Sequence, residues 1–178
     1  EEEFSGEQRA IIPSPRVSSY DKQPEMSVFQ LTDRIVKETA AGTFDFIAVN
    51  FANPDMVGHT GNEEATIKAC EAVDQAMGKI VEAALAVGGA VVITADHGNA
   101  EEVKNLTTGD MDKEHSTNPV PLMVVSRELE GMRAPSGDVT NGDLSLIPPI
   151  GMLADVAPTV LKLLQIPVPP DMTGNPLI

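Results

Sequence analysis

Residues 90–102 read AVVITADHGNAEE, and the reading of this stretch decides the fold. Val91 to Thr94 is an apolar, β-branched run long enough for one buried strand, and it gives way without a spacer to Asp96, His97 and Gly98. The carboxyl edge of a parallel sheet is where α/β folds bind ligands, and adjacent Asp and His there are hard-oxygen and imidazole donors for a divalent metal. Gly98 is expected to let the backbone turn sharply, and Asn99 tolerates the same unusual dihedrals.

Upstream, apolar residues recur at helical spacing from Glu63 to Val87 through Ile67, Cys70, Val73, Met77, Ile80, Ala84 and Val87. Asn62 is placed to cap this helix, and Gly88-Gly89 stops it. Before it, Phe44 to Phe51 (FDFIAVNF) reads as a strand running into the turn signal Asn53-Pro54-Asp55. Strand, helix and strand together predict a βαβ unit with a parallel pair and right-handed crossover. Asp55 and Asp96 would then share one edge of the sheet.

The flanks are simpler. Pro13 and Pro15 make Ile11–Tyr20 an extended strap that carries Arg16. Val28, Leu31, Ile35 and Val36 give the next segment an apolar helical face, with Ser27 as N-cap and Gly42 as the stop. Val103–Asn118 reads as a polar surface loop returning with His115, Leu122–Ser126 as a third strand, and Glu128–Ile150 as irregular. Asp155 is positioned to cap a last helix to Leu164, tolerant of Pro158 in its first turn, and the proline-rich tail from Pro167 is expected to be extended. No internal repeat or linker divides the chain.

With 178 residues, 42% hydrophobic and 22% charged, the composition fits one α/β domain. The first residue is Glu1, so the expectation is a processed chain or a piece of a longer one. Nothing reads as a signal peptide or membrane span, and the chain is expected to be cytoplasmic. A net charge of −15 opposes non-specific attraction to nucleic acid and anionic membrane. The single cysteine, Cys70, cannot form an intrachain disulfide and reads as a small buried side chain.

The chain's three histidines, His59, His97 and His115, all fall in loops. Asp55 lies four residues before His59, a spacing that converges over one helical turn, and Asp96 precedes His97. Mixed carboxylate and imidazole donors without nearby cysteine suit Mn²⁺ or Zn²⁺, and five candidate ligands suggest two ions and phosphate-ester chemistry.

Three segments, FANPDMVGHTG at 51–61, TADHGNAE at 94–101 and HSTNPVP at 115–121, resemble the metal motifs of the cofactor-independent phosphoglycerate mutases of the alkaline phosphatase superfamily. IPSPRV at 12–17, YDKQPEM at 20–26, LADVAPTV at 153–160 and MTG at 172–174 extend the resemblance, in order, over nearly the whole chain. The resemblance implies an alkaline-phosphatase-like sheet with flanking helices, residues 1–178 being the C-terminal part of a discontinuous phosphatase domain. It further implies that Asp55, His59 and His115 hold one Mn²⁺ while Asp96 and His97 hold a second. Arg16 stands where the family usually has a lysine that stabilises the phosphoryl group, so a catalytic role for Arg16 is implied with altered geometry. The family's nucleophilic serine, one further metal-binding aspartate and the transferase domain that grips phosphoglycerate have no counterpart in these residues. The implied parent interconverts 3-phosphoglycerate and 2-phosphoglycerate through a phosphoserine, and this chain alone is expected to be inactive. A phosphopentomutase, a phosphodiesterase or a purely metal-binding fragment is the alternative.

Overall fold

Asn62 accepts a hydrogen bond from the backbone N–H of Ala65, which opens α3 (Glu63–Ala86), the longest element of the computed structural model. The structure describes residues 2–105, 108–132 and 148–178. α1 (Val28–Ala41) and the short α2 (Asn53–Gly58) both pack on α3. Gly42 ends α1 in the left-handed region at φ 62°, as its position in the sequence predicts. Ser27 flanks α1 but spends its hydroxyl elsewhere: it donates to the Pro13 carbonyl at 2.7 Å and so ties the proline strap to the helix.

The face that α3 buries differs from the expected one. Ala65, Ala69, Ala72, Ala76, Ile80 and Ala84 are buried, whereas Ile67 and Val87 remain 53% and 55% exposed. Cys70 is likewise exposed, which corrects its reading as a buried thiol. Small side chains let α1 and α2 approach closely. Val28 sits against Ala72 and Ala76 with Phe51 and Val73 beside them, and Val57 sits against Ala65 and Ala69 with Tyr20. The buried stripe is turned by about one residue, or ~100°, from the line of larger apolar side chains. The two lines meet at Ile80 and Ala84.

The sheet also departs from expectation. β1 (Val91–Thr94) pairs with β2 (Leu122–Val125) in antiparallel register, Val91 opposite Val125 and Thr94 opposite Leu122. Residues 44–51 form no strand, so the parallel βαβ pair and the three-stranded core are absent among the described residues. β propensity is expressed only where a neighbouring strand completes the ladder, and no described strand lies beside this segment. Phe46, Ile47 and Val49 are consequently exposed. β1 itself is half-buried rather than buried.

At the other end, α4 (Val156–Leu163) carries Pro158 in its first turn and is followed by an extended tail. Asp155 precedes α4 without capping it. Its carboxylate instead accepts the N–H groups of Met152 and Asn175, both at 2.8 Å, and Thr159 Oγ1 accepts the N–H of Leu177 at 3.0 Å, which pins the tail across the helix. Most of the irregular stretch expected at 128–150 lies outside the described residues; its start includes a 3₁₀ turn, Arg127–Leu129. No described helix is long and apolar enough to cross a membrane.

Candidate metal centre

α2 positions the first two donors. Val57 is fully buried against α3, and the buried Asn53 donates its amide to the Pro24 carbonyl at 2.9 Å, so the short helix has one fixed orientation. One turn separates Asp55 from His59, whose N–H donates to the Asp55 carbonyl at 3.0 Å. Their side chains meet, His59 Nε2 lying 3.1 Å from Asp55 Oδ1. The loop after β1 returns His115 to the same point, with Nε2 3.1 Å from Asp55 Oδ1 and 3.1 Å from His59 Nε2.

The proton on His59 can be assigned from its neighbours. Nδ1 lies 2.5 Å from the Lys113 carbonyl, an acceptor only, so Nδ1 donates and Nε2 turns a lone pair inward. One proton on His115 can bridge one edge of the triangle, but Asp55 Oδ1 and His59 Nε2 still face each other as acceptors. A cation relieves this. Donors about 3.0–3.4 Å apart are what octahedral or tetrahedral coordination requires at bonds of about 2.1 Å. The donor set therefore fits a divalent ion, and the Lys113 carbonyl is the kind of outer partner that orients a metal-bound imidazole.

His97 stacks on His115 with ring centroids 3.7 Å apart and planes 17° apart. Asp55, His97 and His115 each place a donor atom within 4.8 Å of the others. Asp96 stands outside this group: its side chain is 80% exposed and its nearest approach to an imidazole is 3.7 Å, to His97 Nε2. Arg16 is exposed on the strap and makes no hydrogen bond or ion pair with a described residue.

Several residues that hold the centre together carry no metal-ligand signature in the sequence. Asn99, 4% exposed, donates Nδ2 to Asp55 Oδ1 at 3.1 Å. Glu101 accepts from Ser116 Oγ, from Asn118 Nδ2 at 3.1 Å and from the Asn99 N–H at 2.7 Å. Burial raises the Glu101 pKa, but these hydrogen bonds outweigh it and hold the carboxyl below its usual range. Ser116 also donates its N–H to the Gly98 carbonyl at 2.8 Å, closing the base of the loop.

Gly98 is required here for space. Its backbone is not left-handed, contrary to the sharp-turn expectation, but a Cβ would lie 2.2 Å from both Glu101 Oε1 and Ser116 Oγ. Asn99, at φ −162°, is likewise outside the left-handed region.

Comparison with known proteins adds the family context. A profile described as the Metalloenzyme superfamily matches residues 1–168. The chain is 46% identical over 178 residues to a 2,3-bisphosphoglycerate-independent phosphoglycerate mutase of Clostridioides difficile (strain 630), covering all of this chain and 32% of that protein. Identity to the enzyme of the same name from Vesicomyosocius okutanii is 47% over 178 residues, again all of this chain and 32% of that one. The chain thus spans about a third of the length of the curated relatives it matches. Among solved structures, a Leishmania mexicana phosphoglycerate mutase determined at low cobalt concentration superposes with a TM-score of 0.74 at 29% identity, covering 92% of this chain and 30% of that one.

Proposed function

The chain belongs to the Metalloenzyme superfamily, with the alkaline-phosphatase-like α/β fold, and from that premise we propose that it is the metal-binding part of a cofactor-independent phosphoglycerate mutase. The parent enzyme would be an isomerase of cytoplasmic glycolysis, with 3-phosphoglycerate and 2-phosphoglycerate as its substrates. The observation that carries this reading is the meeting of Asp55 Oδ1, His59 Nε2 and His115 Nε2 at 3.1 Å, in a chain 46% identical over its whole length to a relative that bears this name. Similarity along the whole chain favours the mutase over a phosphopentomutase or a phosphodiesterase.

Divalent-metal use follows from the family and the donor set; we assign two Mn²⁺, with Zn²⁺ the other ion suited to these donors. Asp55, His59 and His115 would hold one ion, and Asp96 with His97 would contribute to the second. Such ions, when bound, lower the pKa of a nucleophile and neutralise charge on a transferring phosphoryl group. The chain's own residues set up that chemistry. His59, by donating Nδ1–H to Lys113, keeps its Nε2 lone pair available. Arg16 would supply a positive charge toward the phosphoryl oxygens. The serine nucleophile and the grip on phosphoglycerate would come from the remaining two thirds of the parent.

The test is mutase turnover and metal content of the full-length parent, with the 178-residue chain assayed alongside. The parent is expected to interconvert the two phosphoglycerates, to lose turnover and bound metal together in His59→Ala, and to differ from the shorter chain, which should show none. A parent that acts on another phosphate ester and not on phosphoglycerate, or a fully active His59→Ala parent, overturns the reading.

A further inference from the structure

We propose that Asn99 is a positioning residue of the metal centre, acting through Asp55. The proposal rests on the metal reading above. Within a site whose ligand side chains are about a third to a half exposed, Asn99 is 4% exposed. Its Nδ2 donates to Asp55 Oδ1, the oxygen that faces both His59 Nε2 and His115 Nε2. The carboxylate torsion of an aspartate is broad and roughly two-fold, so either oxygen can turn inward unless something holds it. A donor on Oδ1 holds it. Aspartate at position 99 would set an acceptor against that oxygen, and an aliphatic side chain would leave it free to rotate.

The cost of this arrangement is visible. Asn99 Oδ1 is buried without a hydrogen-bond partner, an expense that an apolar residue of similar size would avoid. The oxygen lies so close to α2 that a Cβ on Gly58 would fall 2.0 Å from it. Asn99 is fixed from its other side by the bond from its own N–H to Glu101. Gly58, Asn99 and Glu101 thereby connect the segment bearing Asp55 and His59 to the loop bearing His97 and His115.

Mn²⁺ affinity of the full chain, measured by calorimetry and by the paramagnetic resonance spectrum of the bound ion, tests this. Asn99→Ala is expected to weaken binding about 10–100-fold and to alter the spectrum, as loss of an outer partner of a metal ligand does. In an Asp55→Ala background the same substitution should change affinity by no more than about two-fold, because its route is already gone. Gly58→Ala, whose added Cβ would meet the Asn99 carboxamide and no metal-ligating atom among its nearest neighbours, should reproduce the loss by displacing Asn99. It decides alone if Asn99→Ala does not fold. Native-like affinity in both single variants, or an equal loss from Asn99→Ala with and without Asp55, overturns the proposal. If Asp55→Ala and His59→Ala leave Mn²⁺ binding intact, the metal reading itself fails.

Discussion

Replacing His59 by alanine and Asp96 by alanine should separate the tightest ion site from its surroundings. His59 Nε2 lies 3.1 Å from two other donor atoms, and its opposite nitrogen is fixed by Lys113. Asp96 has an 80% exposed side chain and approaches only His97, at 3.7 Å. Structural Zn²⁺ in zinc-finger peptides contributes roughly 10–16 kcal/mol over four ligands, or about 3 kcal/mol for each, and Mn²⁺ binds the same donors more weakly. Losing one ligand should therefore raise the Mn²⁺ dissociation constant by up to about 150-fold. An exposed carboxylate acting through solvent contributes about 0.2–1 kcal/mol, so Asp96→Ala should shift the tightest binding phase by at most about five-fold. Isothermal titration of the full chain at pH 8 reads both values, and a second, weaker phase would report the site to which Asp96 and His97 contribute. Equal weakening of the tightest phase by the two substitutions would refute the ranking, because it would mean that Asp96 binds as directly as His59.

Ala76 is fully buried and Ile67 is 53% exposed, so Ala76→Leu should destabilise the chain by about 1–3 kcal/mol through overpacking, while Ile67→Ala should stay within about 0.5 kcal/mol; denaturant midpoints distinguish them. Glu101, held below the usual glutamate range, stabilises the ionised fold above its unfolded-state pKa, near the ordinary value of 4.5, and that contribution should be lost as pH falls through the lower folded value. Glu101→Gln should flatten this acid limb in thermal melts taken from pH 6 to pH 3. Asp155, whose carboxyl is lowered by the N–H groups of Asn175 and Met152, should on replacement by alanine release the tail, read as new proteolytic cleavage after Pro167. In the full-length parent, Arg16→Ala should reduce turnover much more than Arg16→Lys, and equal behaviour would assign Arg16 to the solvated strap.

The positions of α1, α3 and α4 were legible because they depend on local residues, whereas α2 stands where Asn53-Pro54-Asp55 reads as a turn. Asn62 before α3 and Gly42 after α1 act within one turn of the backbone they cap or terminate. Which face of α3 is buried depends on what packs against it. The larger side chains at Ile67, Cys70 and Val87 suggested one face, but two neighbouring helices selected the alanine side because only there can their axes come close. Strand pairing is more remote still. The run from Phe44 to Phe51 has the composition of a strand, yet composition carries no information about a partner, and no described strand supplies one.

The candidate site divides along the same line. Asp55, His59, Asp96, His97 and His115 were visible as donor types at suggestive spacings, and the structure brings Asp55, His59 and His115 together although the described residues hold no parallel sheet of the kind expected to do so. α2 docked on α3 and the loop closed by Ser116 on Gly98 accomplish the convergence instead. The residues behind the donors left no comparable trace. Asn99 and Glu101 are ordinary polar residues in a loop until burial removes water from them, and only then must each hydrogen-bonding atom find a protein partner. Glycine offers the one usable hint. Gly58 and Gly98 flank the histidines, and neither is demanded by a left-handed backbone. A glycine beside a candidate ligand, with ordinary dihedrals, marks a point where a second side chain crosses the backbone. Here those side chains are Asn99 at Gly58, and Glu101 with Ser116 at Gly98.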